Sequence, residues 1–82
     1  MNKVTQTNNG DAIKLGIYRH YKGNEYEVLG LALHSETEES MVVYKPLYGN
    51  QSLWVRPYDM FSESIELNGS IQPRFSWVRE TE

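Results

Sequence analysis

The sequence predicts an all-β domain: a small five-stranded SH3-like barrel with a short 3₁₀ turn before the fifth strand. Three observations lead there. Short runs of aromatic and β-branched residues recur along the chain, a composition that fits a pleated, half-buried surface. Gly, Asn and Pro turn signals divide these runs, and no capped helical span intervenes. Connections between the runs are short, so successive strands pair as a meander, and closing that meander removes the open edges of a small sheet.

Residues 1–12 are polar and rich in Asn and Thr, with too little to bury to offset the entropy of ordering, and are expected to form a flexible tail. A single barrel domain is expected over residues 13–79, followed by a flexible end at 80–82. Gly16 gives a tight entry to a first strand, Gly16 to Tyr21. Lys22-Gly23-Asn24 turns the chain, because Gly23 and Asn24 tolerate positive φ. The second strand, Glu25 to His34, alternates at Tyr26 and Val28 and then changes phase to Leu29, Leu31 and Leu33, which predicts a bulge or bend at Gly30. Ser35 to Ser40 is an acidic loop.

Met41 to Leu47 forms the third strand, with Pro46 near its end, and Tyr48 to Ser52 the next turn. Leu53 to Arg56 is the fourth strand. Its alternation assigns Leu53 and Val55, with Met60 and Phe61 from the following turn, to the core, and Trp54 and Arg56 to the other face. Pro57 to Phe61 is punctuated and short, which predicts the 3₁₀ turn. Ser62 to Leu67 is the fifth strand, ended by Asn68-Gly69. Ile71 to Val78 is a last extended segment placed to cover an open edge of the sheet.

The chain has 82 residues, a net charge of -3 and no cysteine. A domain of this size buries only about 60% of its unfolded surface, so its aromatics belong to the core first. Without cysteine there is no disulfide or thiolate site, as in a reducing compartment. No signal-peptide pattern or long apolar run appears, so a soluble cytoplasmic protein with no membrane contact is expected. The acidic balance opposes a general affinity for nucleic acid, although it leaves room for a local basic patch.

The strings Tyr18-Arg19-His20-Tyr21-Lys22-Gly23, Tyr26-Glu27-Val28-Leu29-Gly30, His34-Ser35-Glu36-Thr37, Val42-Val43-Tyr44, Leu47-Tyr48-Gly49, Leu53-Trp54-Val55-Arg56-Pro57, Met60-Phe61 and Pro73-Arg74-Phe75 run in this order. Together they resemble the bacterial domain-of-unknown-function family numbered 1653, over about Gly16 to Val78. Asn50-Gln51-Ser52 departs from the family pattern within one loop. The resemblance implies a small bacterial, cytoplasmic, stand-alone domain and carries no activity with it.

No catalytic constellation is legible. There is no cysteine, no serine on a strand-to-helix elbow and no Gly-rich phosphate loop, so the residues point away from an enzyme. No cofactor is expected. A metal site would need His20, His34 and a carboxylate such as Glu36 to converge, whereas structural roles account for lone histidines more simply, and for His20 a hydrogen bond across the sheet is expected. A binding surface fits better. Arg19, Lys22, Lys45, Arg56 and Arg74 all fall within aromatic-rich segments, with Tyr18, Tyr21, Tyr44, Tyr48, Trp54 and Tyr58 as neighbours. From these, Arg19, Tyr21, Tyr44, Tyr48, Trp54 and Arg56 are the candidate binding residues for a protein or peptide partner. RNA or single-stranded DNA stacking on the same face is the second reading. A small-molecule pocket around His20, Tyr44 and Arg56, with or without catalysis, is the third. For each ring, packing within the barrel is the competing explanation, and for the arginines it is pairing with Glu25, Glu27 or Asp59. Arg56 is the stronger functional candidate, placed beside Trp54 either to stack as a cation-π partner or to bridge to Asp59.

Overall fold

In the computed structural model, residues 4–7 and 10–81 are described. They form nine strands and one helical turn: β1 (Val4–Gln6), β2 (Ala12–Lys14), β3 (Gly16–His20), β4 (Glu25–Leu33), β5 (Ser40–Pro46), β6 (Trp54–Pro57), α1 (Tyr58–Phe61), β7 (Ser64–Leu67), β8 (Ser70–Pro73) and β9 (Phe75–Arg79). The class is all-β, but the sheets do not close into a barrel. A five-stranded sheet in the order β6-β5-β4-β3-β9 is flanked by two separate hairpins, β1-β2 and β7-β8. All pairs are antiparallel.

The fifth strand of the main sheet is not the segment expected from the sequence. Among the described residues Ser64–Leu67 pairs only with Ser70–Pro73, whereas Phe75–Arg79 lies along β3 and covers that edge. The reason is local. Asn68 and Gly69 have φ of 53° and 81°, the paired positive values of a two-residue turn that folds β7 straight back onto β8. The extended run then divides at Arg74, whose N–H donates to the Glu63 carbonyl while its own carbonyl accepts from Tyr21 N–H.

Two other expectations change. The turn before β7 is α-helical rather than 3₁₀, since Ser62 N–H reaches the Tyr58 carbonyl four residues back. Of the expected N-terminal tail, residues 1–3 and 8–9 lie outside the described residues, as does residue 82 at the other end. Within the rest, β1 pairs with β2 in register from Val4↔Lys14 to Gln6↔Ala12. β1 itself buries little, since Val4 stays 63% exposed, whereas β2 sends Ile13 into the core. Hydrogen bonds add to that anchor. Tyr58 OH donates to the Ala12 carbonyl at 2.8 Å, and the Thr7 and Ser40 hydroxyls meet at 3.1 Å.

The bulge predicted at Gly30 is present, as the β4-β5 register slips between Val28 and Gly30. The slip moves Leu31 and Leu33 onto the face shared by Val42 and Ser40. That face carries the core: Ile13, Tyr18, Val28, Val42, Tyr44, Phe61 and Phe75 are buried together, with Leu15, Tyr26, Leu31, Tyr58 and Trp77 packed around them. The entry at Gly16 is tighter than expected. Its φ is +140°, and a Cβ there would lie 2.6 Å from both the Arg79 carbonyl oxygen and Trp77 Nε1. Trp77 uses that nitrogen to donate to the Leu15 carbonyl, and Lys14 Nζ stands 3.4 Å from the centre of its ring.

Candidate binding site

Residues directly opposite in an antiparallel pair point to the same face. Tyr44↔Trp54 and Val42↔Arg56 therefore place Trp54 and Arg56 on the core side of the sheet, at its outer strand. This reverses the expected division of Leu53 to Phe61. Leu53 (65%), Val55 (58%) and Met60 (48%) are exposed, and only Phe61, at 2%, is buried. Alternation separates the two faces of a strand without saying which is inward. The register against β5 decides that.

Tyr26, Tyr44, Pro46, Tyr48, Gly49, Asn50 and Trp54 line an open concavity of about 300 Å³. Three of its rings are braced against one another. Tyr26 meets Tyr44 at 5.6 Å and Tyr48 at 6.1 Å, both near-perpendicular, and the Tyr26 and Tyr48 hydroxyls lie 3.2 Å apart. Burial and the Tyr48 hydrogen bond raise the Tyr26 pKa, the hydrogen bond being the larger cause. The fourth ring differs. Trp54 is 57% exposed, and among the described residues it has no ring neighbour and its indole N–H has no acceptor.

Arg56 borders this cup. Its Nε donates to Tyr44 OH at 3.4 Å and its Cζ lies 5.5 Å from the centre of the Phe75 ring. The expected bridge to Asp59 does not form. Among the described residues no carboxylate pairs with Arg56, whereas Arg19 and Arg79 share Glu25, Lys45 pairs with Glu27 and Arg74 with Glu63. Those pairs neutralise most of the cations that the sequence grouped into one basic face. Glu25, hydrogen-bonded first by Arg79 and then by Arg19, has its carboxyl held below the usual carboxylate range.

The six candidate residues thus divide. Tyr44, Tyr48 and Trp54 converge in the cup with Arg56 beside them, while Arg19 and Tyr21 line a second hollow with His20, Gln72, Pro73, Ser76, Trp77 and Val78. Of the alternative trio, His20, Tyr44 and Arg56 all approach Phe75, at 4.9, 6.1 and 5.5 Å, but His20 and Tyr44 line different hollows. Tyr26 belongs to the cup and was not among the candidates. Its position opposite Pro46, two residues from Tyr48, comes from the β4-β5 register, which the sequence alone does not fix.

Both histidines are tied to their own turns. His20 Nδ1 accepts from Lys22 N–H at 3.1 Å, not from a partner across the sheet, and His34 Nδ1 accepts from Glu36 N–H at 3.1 Å and Thr37 N–H at 3.3 Å. Each neutral ring therefore carries its proton on Nε2. Burial, then Arg56, Arg74 and Lys22, lowers the His20 pKa below its ordinary value. Among the described residues no group of three His, Cys, Asp or Glu side chains is placed to hold a metal ion. Nor is any helix of the described residues long and apolar enough to cross a membrane.

A family model described as "Protein of unknown function (DUF1653)" matches residues 16–77, from the glycine at the head of β3 to the tryptophan of β9. The chain belongs to the DUF1653 family. This DUF1653 chain is also similar to a protein of the same family from Bordetella bronchiseptica whose crystal structure is solved. The two are 38% identical over 85% of this chain and 92% of that one, with a TM-score of 0.76. No curated protein matches the DUF1653 chain. The matched span contains the whole main sheet up to Trp77, the cup and Arg56, while the β1-β2 hairpin precedes it.

Proposed function

We propose that this DUF1653 domain is a non-enzymatic cytoplasmic binding module that takes a protein or peptide partner in the aromatic cup, with Trp54 as anchor and Arg56 as cation. The observation that carries the proposal is the state of Trp54. A small domain needs its large side chains inside, yet this one leaves its exposed indole with neither ring nor hydrogen-bond neighbour among the described residues, beside three braced tyrosines. Tryptophan, tyrosine and arginine gathered at a concave surface are the residues that dominate protein recognition. The net charge of -3 and the carboxylate pairing of Arg19, Lys45, Arg74 and Arg79 favour a polypeptide over a polyanion.

The test is NMR shift mapping of the full chain against separate pools of peptides, oligonucleotides and metabolites. Peptides are expected to move the Trp54 indole N–H and the amides of Tyr48 and Trp54, and Trp54→Ala is expected to lose that response while melting normally. Shifts produced by oligonucleotides alone and erased by salt, or by metabolites alone, would overturn the proposal.

A further inference from the structure

β6 is an outer strand. β5 flanks one side, and among the described residues no strand flanks the other. Backbone groups of alternate residues on such a strand point away from the sheet, a ready template for another strand. Natural chains blunt that edge with charge, bulges or proline. Here Pro57 closes only one end, and the preceding run Leu53-Trp54-Val55 is exposed throughout.

We infer that the partner is an extended acidic peptide that adds an antiparallel strand to β6, setting a carboxylate on Arg56 and an apolar side chain, two residues later, on Trp54. The inference rests on the peptide-binding reading above and specifies its ligand. Arg56 and Trp54 are two residues apart on one face. A strand running antiparallel to β6 meets Arg56 first and Trp54 next, so residues i and i+2 of the peptide face the pair. Charge complementarity selects the first of them. Arg56 is half-buried, steadied by Tyr44 OH, and among the described residues lacks the carboxylate that Arg19, Lys45, Arg74 and Arg79 each have. An incoming Asp or Glu supplies that charge-assisted bond. A second copy of this chain, paired through its own β6, would bring further apolar surface and another arginine but no carboxylate.

A phage-displayed random decapeptide library selected on the full-length chain tests this, with enriched sequences synthesised and titrated into ¹⁵N-labelled protein. Enriched peptides are expected to carry Asp or Glu two positions before an apolar or aromatic residue and to shift the amides of Leu53 to Arg56 and the Trp54 indole N–H. Exchanging the acid for Lys is expected to weaken binding at least about tenfold. Arg56→Gln, with its melting temperature checked, is expected to erase that discrimination. Peptides that move the cup without acid preference, or that bind Arg56→Gln with the same preference, would sink the strand inference and leave the binding proposal standing. Peptides that leave the cup unmoved would sink both. A dimer seen by light scattering and dissolved by Val55→Lys would make the second copy the occupant and overturn the inference.

Discussion

Phe61 and Phe75 lie face to face, their ring centres 4.1 Å apart and their planes 7° from parallel. One ends the helical turn after β6 and the other begins β9, so the stack fastens the helical turn to the strand at the opposite edge of the main sheet. Tyr18 and Tyr44 bring their rings against Phe61 at 5.4 and 5.6 Å. Phe61→Ala is expected to cost about 3–5 kcal/mol, a large part of the whole stability of a domain this small. Urea unfolding measures it, and an unchanged midpoint would refute the central role given to this ring.

Gly16→Ala is expected to be destabilising by roughly 2–4 kcal/mol, through positive-φ strain together with the collision of a Cβ with the Arg79 carbonyl and the Trp77 indole. Gly69→Ala provides the comparison. It also has positive φ, at +81°, but nothing lies within 4 Å of its would-be Cβ, so its loss should be the smaller of the two. Thermal melts of the two variants separate crowding from backbone strain.

Tyr18 OH donates to the Lys14 carbonyl at 2.7 Å, and burial, with a smaller contribution from Tyr58, pushes its pKa up to about 12. Because the folded value lies above the unfolded one, the stability linked to the neutral phenol is fully present below pH 10 and is lost as pH rises toward about 12. Melting temperatures between pH 8 and 11.5 should fall at the alkaline end, and less steeply in Tyr18→Phe, which starts from a lower value at neutral pH.

His20 behaves in the opposite sense. Its lowered pKa means that the neutral ring is the one the fold favours, so its contribution is present above pH 6.5 and is lost as pH falls through the folded value. Proton NMR of the ring should give a midpoint below 6.5. Removing one of the nearby cations with Arg56→Ala should move that midpoint upward, and a midpoint that stays put would show that Arg56 is not close to the ring.

Trp54→Ala is expected to change stability by less than about 1 kcal/mol, since among the described residues the ring packs on no other ring and its cross-strand neighbour is Tyr44. A loss of 3 kcal/mol or more, in the range of buried aromatics, would place the indole in the core and remove the main support for the cup.

Much of the sheet was legible because its signals are local. The Gly23-Asn24 and Asn68-Gly69 turns and the slip at Gly30 follow from a few neighbouring residues, and the C-terminal segment does cover an edge, although its partner β3 lies far away in sequence. What escaped depends on distant partners. Pairing of the N-terminal stretch rests on Tyr58 and Ser40, and the inward face of β6 depends on its register against Tyr44. Closure into a barrel was expected from five strands in meander order and the open edges they would otherwise leave, whereas the β7-β8 hairpin withdraws one strand from the sheet. In the site, Trp54, Tyr44 and Tyr48 stood out by residue type. Glu25 was among the carboxylates expected to take an arginine, and Arg19 does pair with it, but the assignment of each cation to its carboxylate was not legible, because pairs such as Arg79 with Glu25 join residues far apart in sequence.

The place of β9 beside β3 bears on how the chain is made. β3, β4 and β5 can pair as soon as they emerge, but the free side of β3 waits for Phe75–Arg79, translated after every other strand. The 33 residues from Leu47 to Arg79 take roughly 2–7 s at ordinary rates of synthesis. For those seconds the nascent chain carries a half-built sheet with a bare flank, and without Phe75 the ring of Phe61 lacks its stacking partner. A ribosome stalled anywhere in that interval would present a sticky intermediate, so the final strand guards the newborn protein against aggregation as well as completing its fold.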